Sequence, residues 1–209
     1  MSNYTNKTTI TGHKSAVTTD IVTEARKTLV IGTIILPDPE EFKESEAFRK
    51  LKKLPFKDLK NKLLLINGPN LNMLGKRDPA VYGIFTLTDV EELSVKTALS
   101  HGYDMDCFQS NYEGAIIGKI HEAMNKYDGI VINPGAFTHY SYAIYDAIDL
   151  CGLPVIEAHI SDISMREDFR KVSVLAPACC GQVKGYGIES YSRAVILLCD
   201  IIEKRIKQE

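Results

Sequence analysis

From Lys62 onward the chain alternates short apolar runs with longer amphipathic stretches, and this alternation limits the fold more than any other feature. The runs are Lys62–Asn67, Tyr103–Gln109, Gly129–Asn133, Pro154–His159 and Val172–Ala176. Helices are expected over Thr86–His101, from Ser110 to about Tyr127, over Tyr140–Cys151 and over Gly187–Ile206. Ser110-Asn111-Tyr112-Glu113 has the form of a capping box opening the second of them. Strands interleaved with helices form a parallel sheet buried on both faces. The crossovers are right-handed, which leaves few topologies.

The fold class expected is therefore α/β, a flavodoxin-like doubly wound five-stranded parallel sheet. Residues 62–209 make up that domain, and residues 1–61 form an N-terminal extension. Within the extension, Leu29–Leu36 reads as a strand stopped by Pro37, and Glu40–Leu54 as a charged amphipathic helix ended by Pro55. Residues 1–27 are rich in Thr, Ser, Asn and Lys, as in a flexible arm; a transit peptide shares that bias, but Arg is scarce.

Charge and cysteine content narrow the function. Residues 1–61 carry 11 Lys+Arg against 8 Asp+Glu, and residues 62–209 carry 14 against 19. No basic excess marks a nucleic-acid binder. An anion would have to be held by a few placed donors rather than by a broad field. The longest apolar run falls far short of the ~20 residues of a membrane span. The 5 cysteines are odd in number and lack a C-x-x-C, so a reducing, cytoplasmic setting is expected, with neither a disulfide framework nor a zinc site.

In an open parallel sheet, ligands bind beyond the carboxyl ends of the strands. Here those ends are polar: Asn67-Gly68-Pro69-Asn70, Gln109-Ser110-Asn111, Asn133 through His139, and Glu157 through Asp162. Asn and His both donate and accept, which suits a polyhydroxylated substrate. Backbone N–H groups near Ile160 and Ser161, with Arg170 close in sequence, suit a carboxylate. Neither a G-x-x-x-x-G-K-[ST] loop nor a strand running into G-x-G-x-x-G is present, which disfavours nucleotides.

The ordered motifs resemble those of the type II 3-dehydroquinate dehydratases. They are ING-PNLN-x-LG-x-R-x-P-x-x-YG at Ile66–Gly83, QSN-x-EG at Gln109–Gly114, NPGA-x-TH-x-S at Asn133–Ser141, E-x-HIS at Glu157–Ser161, RE-x-FR at Arg166–Arg170 and G-x-G at Gly185–Gly187. The resemblance runs from about Lys62 to the C-terminus. It implies a cofactor-free, metal-free lyase that converts 3-dehydroquinate to 3-dehydroshikimate by anti elimination through an enolate, in the shikimate pathway or in quinate breakdown. It further implies a homo-oligomer, a dodecamer built of trimers.

By the same resemblance, Tyr82 is the base and Arg77 the cation that favours its phenolate, because a free phenol has a pKa of about 10. The Leu71–Gly83 segment resembles a lid that closes over substrate. Asn70 holds the water that stabilises the enolate oxygen. His159 is the general acid, oriented or charged by Glu157. Asn133 and His139 hold substrate hydroxyls and carboxylate, Ile160 and Ser161 bind the carboxylate, Arg170 meets a ring hydroxyl, and Asp146 reaches a neighbouring subunit's site. Taken one at a time, these residues also have plainer readings. Tyr82 is equally a loop anchor, His159 a hydrogen-bonded core residue, Asp146 a helix-surface charge, and His139 with His159 a metal pair lacking a third ligand.

Two departures stand inside the pattern. The usual H-I-S-N-I-H stretch is here His159-Ile160-Ser161-Asp162-Ile163-Ser164, so a carboxylate replaces an amide and a hydroxyl replaces an imidazole. Asp162 should weaken carboxylate binding unless it is paired, with Arg166 as the expected partner. Tyr145 replaces an Arg before Asp146. These changes motivate an alternative, a catalytically inactive ligand-binding or assembly module. A flavin-binding flavodoxin relative is a third reading, disfavoured because the first loop has no phosphate-cradling Ser/Thr run.

Overall fold

The computed structural model describes residues 33–35, 60–76 and 84–206, without the side chains of 33–35, 205 and 206. Among these residues, six strands form one sheet: β1 (Thr33–Ile35), β2 (Lys62–Asn67), β3 (Asp104–Gln109), β4 (Gly129–Asn133), β5 (Val155–His159) and β6 (Gly181–Lys184). Their order is β1-β6-β5-β4-β2-β3. β2 to β6 are parallel, and β1 pairs antiparallel on the β6 edge with Thr33 opposite Lys184. The parallel part is the doubly wound sheet expected, and its order reverses at β2, beside β4. The expected helix over Glu40–Leu54 lies outside the described residues.

Among the described residues, four helices cover the sheet: α1 (Leu87–Ser100), α2 (Glu113–Ala123), α3 (Tyr142–Cys151) and α4 (Glu189–Ile206). Strand alternation decides which face each side chain serves. Leu63 and Leu65 of β2 join Val131, Ile156 and Val183 against Val90, Ala98, Tyr191 and Leu198. Leu64 and Ile66 join Ile130, Ile132 and Val155 against Ile116, Ile120, Ile144 and Ile148. α1 thus packs with α4 on one face, and α2 with α3 on the other.

Three local expectations are corrected. The last parallel strand is Gly181–Lys184, not Val172–Ala176. The earlier segment runs as a loop: Val172 is exposed, Ser173 turns its hydroxyl onto Glu157, and Pro177 sits in the short turn that follows. Second, no capping box forms at Ser110. Its hydroxyl accepts the Tyr112 N–H at 3.0 Å, and α2 begins at Glu113 with no side-chain cap. A capping box does form at α1, where Thr86 and Asp89 satisfy each other's backbone N–H groups at 2.7 and 3.3 Å. Third, α4 starts at Glu189 rather than Gly187.

Candidate active site

The strand order brings the first and third loops together at the sheet's switch point. Asn67 stands opposite both Asn133 and Gln109 in register. The Gly68 N–H donates to the Asn133 carbonyl at 2.8 Å. A Cβ on Gly68 would lie 2.3 Å from the Pro134 oxygen. Gly135, at φ +59°, would place one 2.9 Å from the Pro69 oxygen. Both loops therefore require glycine where they press on each other.

Beneath them the strand ends are tied by Tyr191 of α4, which is fully buried. Its hydroxyl donates to Asn67 Oδ1 at 2.8 Å and accepts from Asn133 Nδ2 at 2.7 Å. Burial pushes that phenol's pKa up, so the hydroxyl stays neutral and bridges. Asn133 Oδ1 in turn accepts the Gly135 N–H at 3.1 Å. Asn67 Nδ2 is buried and has no hydrogen-bond partner among the described residues.

One strand further along, Glu157 and His159 project from the same side of β5. His159 Nε2 and Glu157 Oε1 are 2.8 Å apart. Glu157 is wholly buried, and its two oxygens also accept from the Thr138 hydroxyl, from Ser173 Oγ at 2.9 Å and from Gln182 Nε2 at 2.8 Å. Burial works to raise the Glu157 pKa, but the facing His159 and these hydrogen bonds outweigh it and hold the carboxyl below its ordinary range. The charged carboxylate fixes the His159 ring through Nε2 and leaves Nδ1 as the ring nitrogen it does not engage.

His139 lies one residue beyond Thr138 in the turn Gly135–His139. Its Nδ1 is 2.8 Å from the Val172 carbonyl, which requires the proton on Nδ1 and makes Nε2 an acceptor. That Nε2 is buried without a partner among the described residues. Burial lowers the His139 pKa, opposed by the Val172 hydrogen bond, while Arg166 and His159 lower it further. His139 is therefore a neutral acceptor lying within reach of the fields of Arg166, His159 and Glu157.

The remaining expected residues divide. Ser161 Oγ accepts from Arg166 Nη2 at 2.7 Å, and the Ile160 carbonyl accepts the Gly187 N–H at 3.0 Å. Asn70 is exposed with φ 65°, and its N–H donates to Asn111 Oδ1 at 3.0 Å. Arg170 forms a forked pair with Glu167 at 2.6 and 2.8 Å, in a turn packed against Gly135–His139. Asp146 is exposed on α3, and no hydrogen bond or ion pair joins it to the strand-end cluster among the described residues. Arg77 and Tyr82 lie outside the described residues. Asp162 pairs with Lys184 rather than with Arg166.

Sequence reasoning missed Tyr191, Ser173 and Gln182. Tyr191 sits in an amphipathic helix and reads as ordinary core. Ser173 and Gln182 belong to segments whose strand assignment was exchanged. Among the described residues, no three His, Cys, Asp or Glu side chains are grouped as a metal ion would need, and no helix is long and apolar enough to cross a membrane.

The chain is similar to proteins of one family. The sequence pattern described as Dehydroquinase class II matches residues 61–199. A 3-dehydroquinate dehydratase of Anoxybacillus flavithermus is 51% identical over 146 residues, covering 70% of this chain and 99% of its own. One from Bacillus cereus is 54% identical over 139 residues, covering 66% and 95%. Among solved structures, the type II dehydroquinase of Butyrivibrio crossotus superposes with TM-score 0.64 at 48% identity, covering 66% of this chain and 96% of that one. That of Propionibacterium acnes gives 0.65 at 36%, covering 69% and 99%. With the fold and nearly the whole length of these relatives in common, the chain belongs to the class II dehydroquinase family.

Proposed function

We propose that the protein is a 3-dehydroquinate dehydratase, removing water from 3-dehydroquinate to give 3-dehydroshikimate. One observation carries the reading: a His159–Glu157 dyad and a neutral His139 with a free, buried Nε2 share the carboxyl edge of the sheet. The reaction needs a base for the carbon acid and an acid for the departing hydroxyl. Tyr82, with its phenolate favoured by Arg77, takes the proton next to the ketone. The electron pair moves onto the ketone oxygen, and a water held at Asn70 stabilises that enolate. As the enolate collapses, the C–O bond on the opposite face breaks. His159 delivers a proton from the ring nitrogen that Glu157 does not hold, and water leaves.

Asn133 and His139 hold the ring hydroxyls and carboxylate. Ile160 and Ser161 bind the carboxylate, and Arg170 swings from Glu167 to a ring hydroxyl. Asp146, exposed on α3, serves a neighbouring subunit's site in a dodecamer of trimers, which the solution mass of the full chain tests. No observation favours the inactive-module alternative.

The test is direct. Purified, chelator-treated protein incubated with 3-dehydroquinate should produce the conjugated enone, followed by ultraviolet absorbance. Tyr82→Phe should lower turnover at least ~100-fold, the scale of acid–base catalysis, with little change in substrate binding. A folded wild-type protein yielding no enone would overturn the function. A Tyr82→Phe variant with full turnover would remove Tyr82 as the base.

A further inference from the structure

Among the described residues, the mechanism leaves one buried charged side chain unused. Lys184 ends β6 in register with His159, with its side chain only 9% exposed. Its ammonium lies 3.3 Å from Asp162 Oδ1. The same oxygen accepts the Ser164 N–H at 2.9 Å and the Ser164 hydroxyl at 2.6 Å, so Asp162 caps the turn Ile163–Met165. The Arg166 N–H closes that turn on the Ile163 carbonyl at 3.2 Å. The Arg166 guanidinium then reaches back to Ser161 Oγ. A continuous set of contacts thus joins the β6 ammonium to the side chains proposed to receive the substrate's carboxylate.

The charge arithmetic explains why the link matters. Burial works to raise the Asp162 pKa, but the Ser164 hydrogen bonds and Lys184 outweigh it and hold it low. Asp162 therefore carries a full negative charge next to Ser161, on the same loop as the Arg166 guanidinium. Left alone, that charge would repel an incoming carboxylate. A half-buried position screens it less than an exposed one.

We propose that Lys184 is a positioning residue for substrate binding: by pairing with Asp162 it cancels that carboxylate's charge beside Ser161, and so sets affinity for the carboxylate of the substrate without touching it. This rests on the dehydratase reading. The acid at 162 is then harmful to carboxylate binding only when the base at 184 is removed.

The experiment is a charge cycle in the full-length protein, reading KM and kcat for 3-dehydroquinate from enone formation, with a thermal melt of each variant. Lys184→Met should raise KM roughly three- to tenfold, as expected of one uncompensated charge near an anion in a partly screened site, with kcat within about twofold. Lys184→Arg should stay within about twofold of wild type. Lys184→Met with Asp162→Asn should return KM to near the wild-type value, although it restores no contact of Lys184. A raised KM that the double variant does not reverse, or an unchanged KM in folded Lys184→Met, overturns the inference. Should Lys184→Met not fold, Asp162→Asn alone decides: its KM should equal or fall below wild type, and a threefold rise refutes the proposal. Failure of the dehydratase reading is distinct, since wild type itself would then form no enone.

Discussion

Replacing Glu157 by Gln removes a single charge at constant shape, and the structure says what that costs. The carboxylate faces only donors: His159, Thr138, Ser173 and Gln182. A carboxamide offers one oxygen, so its NH2 must point at one or more of those donors. Each buried donor left without an acceptor costs about 1–3 kcal/mol. With one or two such losses, Glu157→Gln should be destabilised by about 2–4 kcal/mol. For a domain of this size that lowers Tm by roughly 5–15 °C. The pH dependence has a fixed sign. Because the folded carboxyl has its pKa depressed, its contribution is present in full above the ordinary glutamate pKa. It is lost as pH falls through the folded value, so wild-type Tm should decline in that acid window more steeply than the variant's. Turnover should also fall, by about 10- to 100-fold, since His159 loses the group that orients it. Calorimetric melts from pH 7 down to acid, with enone kinetics at pH 7, check both parts. A variant within about 1 °C of wild type and with more than half its kcat would refute the account of Glu157 as a saturated anionic anchor.

Two other substitutions probe the loops above it. Tyr191→Phe deletes the hydroxyl bridging Asn67 and Asn133, and should cost about 1–3 kcal/mol by melting, with a raised KM because both amides lose their fixed orientation; an unchanged melt would show the bridge to be dispensable. Gly68→Ala drives a Cβ into the Pro134 carbonyl at 2.3 Å, so the first and third loops must part. It should lower kcat/KM by at least ~10-fold through misplaced loops, whereas Gly114→Ala, where a Cβ meets nothing, should leave kcat/KM unchanged.

How much of this was legible in the sequence depends on where each residue's partner lies. β2 is legible because KLLLIN is buried on both faces and reads as a continuous apolar run. β6 is not, because Gly181-Gln182-Val183-Lys184 has one large apolar residue and spends its polar ones on Glu157 and Asp162. Val172–Ala176 imitates a strand because Ser173 turns to the carboxylate while Leu175 enters the core, which is alternation without pairing. Ser110 matches a capping pattern yet bonds two residues ahead, since a short hydroxyl can satisfy a nearer N–H and delay the helix. His159 and His139 were found because strand ends converge in any parallel sheet. Lys184 was not matched to Asp162, because a partner in another strand leaves no local signature.

The pattern of satisfied and unsatisfied atoms separates the groups that hold the site from those that meet a ligand. Glu157 has its oxygens occupied by four side chains, so nothing remains for a substrate, and its influence must pass through His159. Asn133 is likewise engaged at both ends of its amide, by Tyr191 and Gly135, so holding a substrate hydroxyl requires it to share or exchange one of those bonds. Asn67 Nδ2 and His139 Nε2 differ: a buried donor and a buried acceptor, each lacking a partner among the described residues. A hydroxyl group can donate to such a nitrogen or accept from such an amide. An apolar group does neither, and a pure acceptor suits the amide alone. The polar capacity left at the strand ends is therefore of the kind that hydroxyl groups fill.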